Sequence, residues 1–106
     1  MRPDHGEQMN IDVPRERIEA FCRKWHLTEL ALFGSVLRDD FRDDSDVDVL
    51  VTFQPGIRRS LFDRAAMIDE LTEIFGRDVD LAEKAQIVNP FIRKHVLAEN
   101  RVIYAA

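Results

Sequence analysis

Residues 46–53 read DVDVLVTF, and this stretch decides the fold. Past Asp48 the run is apolar on both faces, which is the pattern of a central strand covered on both sides. Asp46 and Asp48 stand two positions apart at the start of the strand. Because strand side chains alternate with a period of two, both carboxylates are expected on one face of the sheet. The stretch therefore predicts a rigid strand that presents two carboxylates where it emerges from the core.

The segments around this strand alternate between helical and strand-like patterns, which predicts an α/β (α+β) fold with a small mixed sheet packed against helices. Trp25, Phe62 and Phe75 lie on helical apolar stripes and are expected in the core. The predicted elements are a helix over 14–25, a strand over 30–33, a brief helix and loop over 36–45, a helix capped at Ser60 and stopped at Gly76, a strand over 78–81, a helix opened by Asn89-Pro90, and a last strand over 102–104.

Length and charge narrow the class of protein. The 106 residues allow one domain, expected over 13–106 behind a flexible tail at 1–12. The formal net charge of -5, from 15 Lys+Arg against 20 Asp+Glu, argues against a non-specific nucleic-acid binder, so no direct contact with nucleic acid is expected. Cys22 is the only cysteine, which indicates a cytoplasmic protein without an intrachain disulfide. No apolar run approaches the ~20 residues that span a bilayer.

A third carboxylate follows on a neighbouring predicted strand. Asp78 and Asp80 lie on the same face of that strand, and either one is a candidate partner for Asp46 and Asp48. Hard oxygen ligands of this kind suit Mg²⁺, which proteins hold with one or two carboxylates plus substrate phosphates. The pattern therefore predicts a magnesium site built on two strands.

A second motif, Gly34-Ser35, ends the strand over 30–33. Glycine permits a close approach of the backbone to a ligand, and Ser35 can cap the short helix after it, leaving N–H groups to face a phosphate. Neither motif is specific alone, but the pair predicts a triphosphate site beside a metal site. The chain has no P-loop and no dinucleotide fingerprint, and the acidic residues at 44–48 lack the glycine of an EF-hand loop.

Residues 32–38 (LFGSVLR) and 45–51 (SDVDVLV) resemble the signature of the DNA polymerase β-like nucleotidyltransferase superfamily. The small size is similar to that of its minimal members, which are commonly encoded beside HEPN-domain proteins as toxin–antitoxin pairs. The resemblance covers about 18–105 and extends to residues 79–81 (VDL) and 89–92 (NPFI). It implies the nucleotidyltransferase fold.

The resemblance implies a nucleotide-binding role for the first motif. Gly34 and Ser35 would bind the β- and γ-phosphates of ATP, with Arg38 as a further nucleotide-binding residue. Many relatives have glycine after the arginine that corresponds to Arg38, whereas this chain has Asp39, which leaves the role of Arg38 open.

The same resemblance implies metal ligation and catalysis by the acidic residues. Asp46 and Asp48 would ligate two Mg²⁺ ions, and Asp80 would ligate the acceptor-side ion and help to deprotonate the attacking hydroxyl. Motif position favours Asp80 over Asp78 as the third carboxylate.

The implied activity is transfer of AMP from ATP to a hydroxyl, in the toxin–antitoxin members a tyrosine of the partner HEPN toxin. Two alternatives stay open: an antitoxin that neutralises a partner ribonuclease by binding alone, and a transferase that acts on a small molecule such as an aminoglycoside. The chain has little sequence beyond a catalytic core, so a partner chain or a homo-oligomer is expected to complete the site. Arg58 and Arg59 are open between phosphate contacts, partner contacts and solvated loop charges.

Overall fold

The computed structural model describes residues 13–34 and 46–106, and it shows a four-stranded sheet with three α-helices. The elements are α1 Arg15–Lys24, β1 Leu27–Phe33, β2 Val47–Phe53, α2 Leu61–Phe75, β3 Val79–Glu83, a 3₁₀ turn at Lys84–Gln86, α3 Pro90–Ala98 and β4 Asn100–Ala105. The predicted tail at 1–12 and the predicted helix and loop at 36–45 lie outside the described residues.

The sheet is mixed, as predicted. Its strand order is β3-β2-β1-β4, with β2 parallel to β3 and β1 antiparallel to both β2 and β4. The parallel pair is connected through α2, because parallel neighbours need a crossover whereas antiparallel ones do not. This connection brings the starts of β2 and β3 to the same end of the sheet.

The central strand β2 is covered on both faces, which confirms the prediction from its apolar run. Val47, Val49 and Val51 belong to the larger core, which also contains buried residues of α1 and α2. Leu50 faces the opposite way and packs with Ala31 of β1 and Val96 of α3 in a smaller cluster. Helices α1 and α2 thus cover one face of the sheet, and α3 covers part of the other.

Both predicted boundaries of α2 are confirmed. The hydroxyl of Ser60 accepts a hydrogen bond from the Asp63 N–H at 3.2 Å, and the Asp63 carboxylate accepts one from the Ser60 N–H at 2.9 Å. This reciprocal box satisfies two helix donors that have no partner within the helix. At the other end Gly76 adopts a left-handed φ of 74°, which glycine allows without a Cβ clash.

The apolar stripe of α2 does not reach the core along its whole length. Met67 and Leu71 are buried, but Leu61 and Phe62 in the first turn are 84% and 87% exposed. The prediction of Phe62 as a core residue is therefore wrong, while Trp25 and Phe75 do pack against the core. Helical spacing identifies the face that turns toward the sheet, but it carries no information about where along the helix the contact begins.

Other boundaries differ by a few residues. Strand β1 begins at Leu27 rather than at Leu30, because Thr28 and Glu29 join the sheet although they interrupt the apolar pattern. Strand β3 continues to Glu83. None of the helices in residues 13–34 and 46–106 is long and apolar enough to cross a membrane.

Cys22 is buried in α1, and burial together with the nearby Glu19 carboxylate raises the pKa of its thiol from about 9 to about 12. In the unfolded chain the thiol ionises near pH 9, so above that pH the unfolded state loses a proton that the folded state keeps. We expect the free energy of unfolding to fall as the pH rises from 9 toward 12, and Cys22→Ala to lose that part of the slope. Urea unfolding of both proteins between pH 7 and 10.5 checks this, and equal slopes would contradict it.

Candidate active site

Two carboxylates lie side by side at one end of the sheet. Asp48 is the second residue of β2, and its register partners are Asp80 on β3 and Phe33 on β1. Residues paired across neighbouring strands share a face, and here it is the face of Leu50 and α3. Asp48 is half-buried and Asp80 is exposed. The sheet therefore presents a pair of carboxylates, one from each of two neighbouring strands, to solvent.

Asp46 and Asp78 lie just before these strands. The Val47 N–H donates a 2.9 Å hydrogen bond to the carbonyl oxygen of Asp78, which ties the start of β2 to the start of β3. Asp46 and Asp78 are both exposed. The register thus gathers four acidic residues at one end of two strands, with Asp80 rather than Asp78 directly beside Asp48.

Gly34 lies directly against Asp48. It follows β1 with a left-handed φ of 74°, and a Cβ built at this position would overlap the Oδ2 atom of Asp48 and lie 3.1 Å from its Cγ. Only glycine fits both the backbone conformation and the space. Gly34, the first residue of the Gly34-Ser35 motif, is therefore in contact with the carboxylate of Asp48. Ser35 and Arg38 lie outside the described residues.

The donor set suits a magnesium ion that arrives with a nucleotide. Within residues 13–34 and 46–106, no group of three or more His, Cys, Asp or Glu side chains is gathered closely enough to hold a metal by itself. Mg²⁺ usually keeps several waters and is bound by one or two carboxylates plus substrate phosphates. The pair Asp48 and Asp80, with Asp46 at its border, meets that requirement. Close carboxylates repel one another without a cation, so an ion would also stabilise the arrangement.

A second polar cluster lies at the opposite ends of β2 and β3 and was not predicted. The Arg59 guanidinium forms an ion pair with the buried Glu83 carboxylate and stacks 4.3 Å from the centre of the Phe53 ring. Arg64 donates to the Leu81 carbonyl oxygen. Arg59 therefore ties the loop before α2 to the end of β3, which is none of the three roles considered from sequence. Arg59 and Glu83 are 24 residues apart in the chain, and no local sequence pattern predicts that they pair.

The sequence profile of the nucleotidyltransferase domain family matches residues 15–103. The chain belongs to this family. The match includes both strands of the carboxylate pair and the glycine that lies against it, so the prediction of a nucleotidyltransferase is confirmed at the level of the enzyme class.

Relatives from two organisms share most of this domain. A Methanocaldococcus jannaschii protein, provisionally named a protein adenylyltransferase, is 35% identical over 93 residues, which covers 88% of this chain and 91% of the relative. The protein adenylyltransferase MntA of Thermococcus cleftensis is 35% identical over 81 residues, covering 76% of this chain and 77% of the relative.

Solved structures share the fold. A toxin–antitoxin crystal structure with AMP-PNP superposes with a TM-score of 0.70 at 19% identity, covering 88% of this chain and 74% of the other. A complex of a tri-AMPylated Shewanella oneidensis HEPN toxin with an MNT antitoxin gives a TM-score of 0.62 at 19% identity, covering 87% and 70%. The predicted nucleotidyltransferase fold is confirmed.

Proposed function

We propose that this nucleotidyltransferase transfers AMP from ATP to a protein hydroxyl, a tyrosine of a partner HEPN-domain toxin, and thereby acts as an antitoxin in the cytoplasm. The observation that carries the proposal is the placement of Asp80 beside Asp48 in the β2–β3 register, with Gly34 against Asp48. Further support comes from the relatives, whose names identify them as protein adenylyltransferases, and from the structural neighbour, which contains an AMPylated HEPN toxin.

In the proposed reaction the acceptor oxygen attacks the α-phosphorus of ATP, the bond from that phosphorus to the bridging oxygen breaks, and pyrophosphate leaves. Asp46 and Asp48 would hold the ions, Asp80 would ligate the acceptor-side ion and help to take up the hydroxyl proton, and Gly34 and Ser35 would bind the phosphates, with Arg38 as a further nucleotide-binding residue. Two Mg²⁺ ions would supply stabilisation of the charge on the attacking and leaving oxygens. The protein's own contribution is positioning, because strands hold side chains more rigidly than loops do.

The experiment that tests the proposal measures the intact mass of the HEPN-domain protein from the same genome after incubation with this chain, ATP and Mg²⁺. We expect a gain of one or more AMP units, lost when EDTA removes the divalent ions and lost with Asp46→Ala/Asp48→Ala. An unchanged mass, with a stable complex and an inhibited ribonuclease, would refute the transfer and identify an antitoxin that acts by masking. Transfer of AMP to an aminoglycoside in place of the protein would refute the proposed tyrosine acceptor.

A further inference from the structure

An exposed apolar surface lies between the starts of α2 and α3, and we call it the α2–α3 surface. Its members, given with their exposed fractions, are Leu61 at 84%, Phe62 at 87%, Val88 at 85% and Phe91 at 84%. A cavity of about 760 Å³ is lined by Leu61 in the first turn of α2 and by Ile87, which lies three residues before α3. Isolated apolar residues on a surface are ordinary, but four large ones on two segments that border one cavity, two of them phenylalanines, are typical of the centre of a protein interface.

The charge around the α2–α3 surface is opposite to that of the chain. Residues 57–64 and 83–94 contain six basic and two acidic side chains, a net charge of +4, in a chain whose formal net charge is -5. Arg58 and Lys94 are exposed, while Arg59 is paired with Glu83 and Lys84 with Glu29 of β1. A partner that fits this surface must present apolar side chains at its centre and carboxylates around them.

We propose that the α2–α3 surface docks a partner protein through an apolar strip flanked by acidic residues, an inference that rests on the proposed function because that partner is the acceptor of AMP. A second copy of this chain fits less well, because a two-fold dimer places the same surface on both subunits and would bring the basic side chains together. A nucleic acid does not fit an apolar centre of this kind, because protein–DNA interfaces are polar and positively charged.

The α2–α3 surface and the carboxylate pair lie toward opposite ends of β3. The cavity is lined by Leu81, Ala82 and Glu83, which follow Asp80 on β3, and the Leu81 side chain packs in the larger core on the other face of the sheet from Asp80. At about 3.3 Å per residue, Glu83 lies roughly 10 Å along the strand from Asp80. A protein docked on the surface would therefore have to extend its neighbouring segment about 10 Å along β3 to reach the carboxylate pair.

The test compares binding of the HEPN-domain protein to wild type and to Phe62→Ser/Phe91→Ser, by calorimetry without nucleotide. We expect the dissociation constant to rise at least tenfold. The Arg58→Glu/Lys94→Glu variant should also weaken binding, and wild-type binding should weaken with added salt. Matched controls are Val102→Ser, an exposed apolar residue on β4, and Arg17→Glu, an exposed charge on α1. ATP–Mg²⁺ binding, followed with a fluorescent ATP analogue, should stay at the wild-type level in all four variants.

The outcomes separate this inference from the proposed function. A wild-type complex that is weakened by Phe62→Ser/Phe91→Ser but transfers no AMP would support the docking surface and refute the activity. AMP transfer with unchanged affinity in that variant would overturn the docking surface and leave the activity standing. The docking surface would also be overturned if Phe62→Ser/Phe91→Ser left the partner affinity unchanged but dissociated a wild-type dimer, which would make a second copy the occupant. The same holds if the variant left the partner affinity unchanged but abolished binding to phosphatidylserine vesicles, which would make a membrane the occupant. Absence of any wild-type complex would overturn it as well.

Discussion

Asp48→Asn is expected to lower AMP transfer by roughly a thousandfold, about 4 kcal/mol of transition-state stabilisation, while the protein stays folded. The substitution keeps the shape of the side chain and removes the charge that the proposed ions require. Asp48 is the member of the pair held between two strands, beside Asp80 and against Gly34, so no neighbouring carboxylate can take its place. Single-turnover kinetics at saturating ATP and Mg²⁺ give the change in rate, and circular dichroism checks the fold.

Asp78→Asn is the matched control, because Asp78 is an exposed carboxylate at the same end of the sheet but lies outside the register with Asp48. It should retain most of the activity, whereas Asp80→Asn should lose activity as Asp48→Asn does. The reverse result, an inactive Asp78 variant beside an active Asp80 variant, would move the third carboxylate to Asp78.

Gly34→Ala is expected to lower the free energy of unfolding more than Gly76→Ala, although the two glycines have the same φ. Gly76 has a φ of 74° as Gly34 does, but a Cβ there meets nothing within 4 Å. Gly76→Ala should therefore cost only the strain of the left-handed backbone, about 1–2 kcal/mol. Gly34→Ala adds an overlap with the Asp48 carboxylate, and overpacking of this kind costs about 1–3 kcal/mol more.

The activity of the two alanine variants should differ more than their stability. The Asp48 carboxylate must move to admit a methyl group at position 34, and a displacement of about 1 Å in a catalytic group can cost roughly a hundredfold in rate. Gly76→Ala lies at the end of α2 and should transfer AMP at close to the wild-type rate. Urea unfolding and AMP transfer measured on both variants check this. Equal losses in the two would show that Gly34 is needed only for its backbone conformation.

The sequence was most informative where one short stretch determines its own environment. The position of β2 and its burial on both faces were predicted from residues 46–53, because a run that is apolar on both faces fits only a central strand. Both ends of α2 were predicted, because Ser60, Asp63 and Gly76 act through local backbone hydrogen bonds and local φ. Of the two carboxylates predicted at the start of this strand, Asp48 lies on β2 and Asp46 lies just before it.

The remaining features depend on contacts between distant parts of the chain. Periodicity placed Asp78 and Asp80 on one face, but only the parallel β2–β3 register sets Asp80 beside Asp48. The contact of Gly34 with Asp48 and the ion pair of Arg59 with Glu83 depend on strand order, which no local pattern encodes. Phe62 was misplaced because helical spacing marks an apolar face but not how much of its length is covered, and Phe62 in the first turn of α2 is 87% exposed.

Strand β3 is an edge of the sheet in the part of the chain that the structure describes. An edge strand offers unpaired N–H and C=O groups to any other strand, and proteins discourage such growth by placing charges along the edge. Asp80 in β3 and Asp78 just before it put two exposed negative charges there. Asp80, a proposed magnesium ligand, and Asp78 would then also keep one molecule from adding its sheet to the next, so neutralising both should make the protein more prone to aggregate even where its folded stability is unchanged.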